Sequence, residues 1–132
     1  AASDVYKRQE NQVKLAGYSD NVYEYYSKAK VFALTSKHEG FPNVAIEAMA
    51  FGLPLISTLL PGVDEFLENK KNGFLIEDNV DSISNTILDV AKMSQEDYSY
   101  ISENAKATAS KFDIRENVRK YEELFEEAVY EE

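Results

Sequence analysis

Residues 31–58 read V-F-A-L-T-S-K-H-E-G-F-P-N-V-A-I-E-A-M-A-F-G-L-P-L-I-S-T, and their pattern is the main evidence for the fold class. It begins and ends with short apolar runs, at residues 31–35 and 55–58. Between them, Pro42 suits a first helical turn because its missing N–H would have no partner there. Gly52 followed by Pro54 is typical of a helix end. Two short apolar runs flanking a helical pattern predict parallel strands joined by a helix.

Two further apolar runs lie outside this stretch, at residues 13–16 (V-K-L-A) and 74–76 (F-L-I). Asp20 is a suitable cap for a helix between the first two runs. The apolar side of that helix would carry Val22, Tyr25, Tyr26 and Ala29. A short helix over residues 63–68 would precede the last run. The sequence therefore predicts an α/β fold: a partial Rossmann-like parallel sheet of about four strands, three to four of them paired, with flanking helices.

The last third of the chain contains helical patterns only. One apolar stripe consists of Ile83, Ile87, Val90 and Ala91. Ser94 with Asp97 resembles a capping box, which would open a helix to about residue 111. A second box, Asp113 with Glu116, precedes a final amphipathic helix whose acidic outer face we interpret as solvated. Because the chain contains no internal repeat and no low-complexity linker, we predict no domain boundary within it.

The composition argues against several classes of function. The chain has 14 Lys and Arg against 24 Asp and Glu, a formal net charge of -10 that disfavours binding to nucleic acid or to anionic membranes. With no Cys and one His, disulfides and the usual zinc sites are excluded. No apolar run approaches the roughly 20 residues of a membrane span, and no signal-peptide pattern opens the chain. We expect a cytoplasmic protein, and we interpret residues 1–9 as a non-native scar.

Candidate chemistry concentrates in residues 36–54, which begin at the carboxyl end of the second predicted strand, where open parallel sheets bind ligands. A helix beginning at Pro42 offers unpaired backbone amides and a partial positive charge there. The amides available to an anion would be those of Phe41, Asn43 and Val44. This segment contains one Lys, Lys37, and two acidic residues, Glu39 and Glu47. Its side-chain charge would therefore not attract a phosphate, and the backbone amides would have to do so. The spacing of the two glutamates means little alone, and Glu47 also fits a partly exposed helical carboxylate.

Residues 39–54, E-G-F-P-N-V-A-I-E-A-M-A-F-G-L-P, closely resemble the signature of family 4 retaining glycosyltransferases, in which Glu and Glu are separated by seven residues. Further segments match in the same order: Gly17 after a strand, Y-x-x-A-x-V-F at 26–32, L-P-L-I at 53–56 and N-G-F-L at 72–75. The resemblance covers residues 13 to about 127. It implies a two-domain GT-B enzyme, of which residues 10–132 are an incomplete C-terminal nucleotide-sugar-binding domain.

The resemblance also implies roles for individual residues. Glu47 would hold the ribose hydroxyls, and Glu39, the catalytic residue, would lie beside the transferred sugar. The sugar and the diphosphate would be contacted by Gly40, Phe41, Pro42, Asn43 and Val44. This chemistry requires no metal ion or cofactor. A missing N-terminal domain would bind the acceptor, and a missing part of the donor domain would supply an Arg and a Lys to the diphosphate.

Other positions match the family less closely. Gly17 and Tyr18 lie where it places part of the base pocket, although turn chemistry also explains them. His38 would face the donor sugar, unless it is an ordinary loop histidine. Low-ranked candidates in the family's G-G-x-x-E loop are Gly62 and Glu65. Pro61 replaces the first Gly of that loop and removes an N–H.

The function implied is transfer of a hexose-type sugar from a uridine or guanosine diphosphate donor to a glycan or lipid-linked acceptor, with retention. We expect this fragment alone to be inactive, with any peripheral membrane contact made by absent segments. The alternatives are a non-catalytic sugar-nucleotide-binding module and a GT-B nucleotide-sugar epimerase. The implied sheet order, 3-2-1-4-5-6, makes residues 13–16 strand three. Without strands one and two, this run would pair beside strand four or be poorly anchored, and strand four would have an exposed edge.

Overall fold

The computed structural model describes residues 12–35 and 42–112 of the 132-residue chain. In chain order its elements are α1 (Val22–Lys28), β1 (Phe32–Leu34), α2 (Asn43–Ala50), β2 (Leu55–Ser57), a 3₁₀ turn (Val63–Glu65), β3 (Gly73–Leu75), α3 (Val80–Lys92) and α4 (Gln95–Ser110). Strands alternate with helices up to β3, and only helices follow. The predicted α/β class is therefore confirmed.

The three described strands form one parallel sheet in the order β1-β2-β3. Phe32 pairs with Leu55 in the first ladder, and Leu55 pairs with Gly73 in the second. All three residues of the central strand β2 are buried, as expected for a parallel strand covered on both faces. The apolar runs at residues 31–35, 55–58 and 74–76 thus pair in sequence order, as strands four to six of the implied sheet order would.

The predicted strand at residues 13–16 is wrong. This segment has no regular secondary structure, and the side chains of Val13 and Leu15 are 58% and 81% exposed. A four-residue run becomes a strand only where a neighbouring strand pairs with its backbone, and none of the described strands does so. Of the two outcomes expected for this segment, the poorly anchored one is observed.

Helix α1 differs from its prediction both at its start and in the residues that it buries. Asn21, not Asp20, occupies the N-cap position of α1, and its side chain makes no capping hydrogen bond. Of the four side chains predicted to pack inward from α1, only Tyr26 is buried, because two helical turns meet the sheet over a short length.

In α4 the Ser94 hydroxyl accepts a hydrogen bond from the Asp97 amide at 3.1 Å, which confirms the predicted cap. The second box and the final helix lie outside the described residues.

The main core lies between the sheet and the helices α2 and α4. Its buried members include Ile46 and Met49 of α2, Leu55 of β2, and Ala105 and Ala109 of α4. Phe66 and Leu67 are also buried in this core, although the helix expected over residues 63–68 is only a 3₁₀ turn at Val63–Glu65. This packing fixes α2 against the sheet and thereby sets the direction of its N-terminus.

Asn72, which is 1% exposed, ties the turn before β3 to α4. Its Nδ2 donates to the Phe66 carbonyl at 2.8 Å and to the Thr108 hydroxyl at 2.9 Å, while its Oδ1 accepts from the Glu68 amide at 2.8 Å. We expect Asn72→Ala to lower the free energy of unfolding by about 2 to 3 kcal/mol, because buried polar groups lose their partners.

Urea unfolding measures this loss, with Asn104→Ala as the matched control. Asn104 makes one exposed hydrogen bond, to the Lys71 carbonyl at 3.1 Å, so its replacement should cost less than about 1 kcal/mol. Equal losses for the two variants would contradict the role assigned to Asn72.

Candidate functional site

The N-terminus of α2 lies at the carboxyl edge of the sheet, directly after the connection from β1. Pro42 occupies the N-cap position and is buried. Its carbonyl accepts hydrogen bonds from the amides of Ala45 at 3.0 Å and Ile46 at 3.4 Å. The preceding amides, of Asn43 and Val44, have no hydrogen-bond partner among the described residues, and both residues are exposed. The first turn of α2 thus presents unpaired N–H groups at its positive end.

Glu47 lies one turn further along α2 and is half-buried. Within residues 12–35 and 42–112, no ion pair or hydrogen bond of its carboxylate is found. The pKa of the Tyr26 phenol is raised, first by burial and then by the negative charge of Glu47. Tyr26 of α1 also packs against Ala48, the residue that follows Glu47, so α1 lies beside this part of α2. A half-buried carboxylate without a protein partner is available to hydroxyl donors of a ligand.

Four of the predicted site residues fall outside the described parts of the chain: His38, Glu39, Gly40 and Phe41. Their contacts with a donor stay predictions, as does the proximity of Glu39 to Glu47. The structure does bring together Pro42, Asn43, Val44 and Glu47 on α2. The structure therefore describes the helical part of the predicted segment, from Pro42 onward.

The loop before the 3₁₀ turn offers less to a ligand than its counterpart in the family would. The Gly62 amide donates to Asp64 Oδ1 at 3.0 Å, so this N–H is already used within the loop. Gly62 has a φ of 92°, a value that favours glycine. Pro61 has no N–H, and Glu65 is exposed. Asp64 was missed by the sequence analysis, although an Asp that bonds a nearby backbone amide is a common turn signal.

Gly17 and Tyr18 lie on the surface, away from the packed core. Gly17 has a φ of 69° with open space around it, which turn chemistry explains. Tyr18 is 92% exposed. Contact of these residues with a nucleotide base stays a prediction.

An aromatic cluster beside Glu47 was also missed by the sequence analysis. It consists of Tyr23, Tyr26, Phe32 and Phe51. Tyr23 and Phe51 are stacked, with ring centroids 5.7 Å apart and planes 18° apart. Residues three or four apart share a helix face. This spacing could have indicated that Tyr23 lies beside Tyr26 on α1, and that Phe51 lies on the same face as Glu47.

Two general features can be tested over the described residues. In that part of the chain, no group of three or more His, Cys, Asp or Glu side chains is arranged to hold a metal ion. None of the helices found there combines the length and the apolar character needed to cross a membrane.

Known proteins resemble this chain both in sequence and in fold. An uncharacterized glycosyltransferase of Haemophilus influenzae is 44% identical over 71 residues, which make up 53% of this chain and 20% of that protein. The uncharacterized glycosyltransferase MJ1178 of Methanocaldococcus jannaschii is 30% identical over 109 residues, or 82% of this chain and 31% of that protein. The chain thus spans about a fifth to a third of these curated relatives.

Solved structures also resemble this chain in fold. Anabaena Alr3699/HepE in complex with UDP and glucose superposes with a TM-score of 0.76 and 25% identity over 96% of this chain and 36% of that one. Staphylococcus aureus TarM gives a TM-score of 0.77 at 25% identity, over 93% and 26%. The sequence profile of the family "Glycosyl transferases group 1" matches residues 6–108. Since this match covers most of the sequence, the chain belongs to the group 1 glycosyltransferase family, as its resemblance to glycosyltransferases predicts.

Proposed function

We propose that this chain forms the donor-binding part of a retaining glycosyltransferase of the family 4 type, which moves a sugar from a nucleotide diphosphate to a glycan or lipid-linked acceptor. The observation that carries the proposal is the arrangement of α2. Two backbone amides and one carboxylate, none of which has a partner among residues 12–35 and 42–112, occupy successive turns of one helix at the carboxyl edge of a parallel sheet. Ligands of open α/β sheets bind at that edge.

The two parts of α2 suit two parts of one ligand. The amides of Asn43 and Val44, aided by the helix dipole, suit the diphosphate, which a chain of net charge -10 would otherwise repel. Glu47 suits the ribose, because a carboxylate accepts hydrogen bonds from neighbouring hydroxyls. Asn43 and Glu47 are four positions apart, or about 6 Å along the helix axis. One nucleotide diphosphate is long enough to contact both.

The same amides would also assist the reaction. The bond between the anomeric carbon of the sugar and the diphosphate breaks while the acceptor oxygen bonds to that carbon on the same face, which retains the configuration. The proton of the acceptor hydroxyl passes to the departing phosphate oxygen, and negative charge grows on the phosphate as it leaves. N–H groups already aimed at this phosphate stabilise that charge without reorganisation. Glu39, beside the transferred sugar, and acceptor groups outside this chain would complete the site.

The relatives support the class of donor and acceptor. The Anabaena protein was solved with UDP and glucose, and the pneumococcal transferase GtfA with UDP and GlcNAc. Other relatives are named for lipopolysaccharide core and capsular polysaccharide biosynthesis. We therefore propose a uridine diphosphate sugar as the donor and a saccharide as the acceptor. We also propose that transfer requires residues beyond this chain, because the relatives are several times longer.

Titration of the ¹⁵N-labelled chain with UDP-glucose, in EDTA, tests the proposal. We expect saturable binding with a Kd of about 1 mM, equivalent to roughly -4 kcal/mol, and the largest amide shifts at Asn43, Val44 and Glu47. Free glucose is the control and should leave these signals unchanged. The proposal is contradicted if UDP-glucose leaves these three amides unshifted at about tenfold that concentration.

A further inference from the structure

Tyr26 is the anchor of α1 and lies next to the helix that carries Glu47. It is 7% exposed and packs with Ala48 and Leu53. Its ring makes edge-on or tilted contacts with Phe32 at 5.9 Å and Phe51 at 5.6 Å between centroids. These contacts on several sides restrict the ring to one orientation.

The contacts place Tyr26 along the flank of α2 where Glu47 emerges. Ala48 directly follows Glu47, and Phe51 lies one helical turn beyond it on the same face. Within the described residues, no hydrogen bond of the Tyr26 hydroxyl is found, and none of the Glu47 carboxylate. Two polar groups that lack a partner in the described part of the chain thus share one flank of the helix.

The chemical states of the two groups are complementary. Burial, and then the charge of Glu47, raise the pKa of Tyr26 above its usual 10.0, so the phenol keeps its proton at neutral pH. A neutral phenol donates a hydrogen bond, and an ionised carboxylate accepts several. A carboxylate that receives one such bond from a fixed ring still has lone pairs for two ligand hydroxyls.

We infer that Tyr26 is a positioning residue for the Glu47 carboxylate: when donor binds, the hydroxyl on its packed ring donates a hydrogen bond that fixes the carboxylate's orientation toward a ribose diol. This inference rests on the proposed function, since it deepens the role assigned there to Glu47. Tyr26 itself touches neither the sugar nor the phosphates. Its contribution is to reduce the number of Glu47 orientations that must be lost on binding.

Tyr26→Phe tests this inference because it removes the hydroxyl and keeps the ring. We expect the affinity for UDP to fall about three- to tenfold, the scale of one ordinary hydrogen bond, because the lost bond acts on the ligand only through Glu47. The affinity for pyrophosphate, which has no ribose, should stay the same. In a Glu47→Gln background, Tyr26→Phe should change the UDP affinity less than about twofold, because coupled residues are not additive.

Tyr98→Phe is the matched control. The Tyr98 hydroxyl donates to the Lys30 carbonyl at 2.7 Å on another part of the fold, so its loss should lower stability and leave UDP affinity unchanged. If Glu47→Gln weakens UDP binding and Tyr26→Phe does not, the positioning role is wrong and the proposed function stands. An equal effect of Tyr26→Phe with and without Glu47 also overturns it. Absence of UDP binding by the unmodified chain contradicts the proposed function itself.

Discussion

Gly73→Ala is expected to destabilise the chain by at least about 3 kcal/mol, a large share of the stability of a small domain. Gly73 opens β3 and pairs with Leu55 of the central strand. A Cβ at this position would overlap the Leu55 carbonyl oxygen and would lie 2.7 Å from Leu67 Cδ1. The first obstacle is backbone rather than a flexible side chain, so rotation of a side chain cannot relieve it.

The surroundings of Gly73 prevent the backbone from moving away. β2 is bonded to strands on both sides, and all its residues are buried. Displacing β3 would also disturb Asn72, which links the preceding turn to α4. Relief of the overlap therefore requires loss of the β2–β3 pairing, which is why the expected cost exceeds that of ordinary overpacking.

Thermal and urea unfolding followed by circular dichroism measure the effect, with Gly17→Ala as the matched control. Gly17 has a φ of 69° but no atom within 4 Å of an added Cβ. It therefore carries only the backbone cost of a left-handed residue, about 1 kcal/mol. If Gly73→Ala unfolds at the same urea concentration as Gly17→Ala, the close approach of β2 and β3 is not what requires glycine at position 73.

Local signals in the sequence account for the elements that were predicted correctly. Pro42 and the Gly52–Pro54 pair bracket α2 because they act through their own backbone restrictions. Ser94 opens α4 because its hydroxyl reaches an amide three residues away. Such signals need no knowledge of the rest of the fold.

Contacts between distant residues account for what was missed. Residues 13–16 have the composition of a strand, but strand formation depends on a partner that no local pattern reports. Tyr26 meets Phe51 across 25 positions, and Asn72 meets Thr108 across 36. The family signature in the sequence made Glu47 a candidate site residue, whereas the aromatic cluster became visible only once α1 and α2 were placed.

Glu47→Gln is expected to weaken UDP binding by about 1 to 3 kcal/mol, or roughly five- to 150-fold. Gln keeps the size and helix propensity of Glu but replaces a charged double acceptor by one carbonyl and one amide. Two ribose hydroxyls that both donate to a carboxylate would then compete for a single acceptor, beside an NH₂ group that needs an acceptor itself. Isothermal titration or NMR line shapes, with UDP as ligand, measure the change.

Pyrophosphate separates the ribose role of Glu47 from a general electrostatic one. Removing a negative charge near the amide end of α2 should leave pyrophosphate affinity equal or slightly higher, because the repulsion of an anion falls. Glu103→Gln is the matched control: it removes a helical carboxylate that pairs with Lys106 at 3.5 Å on an exposed surface of α4. UDP affinity should be unchanged in that variant. Equal loss of UDP and pyrophosphate affinity in Glu47→Gln would show that the carboxylate supports the structure of α2 and does not bind the ribose. The ribose assignment would then have to be abandoned.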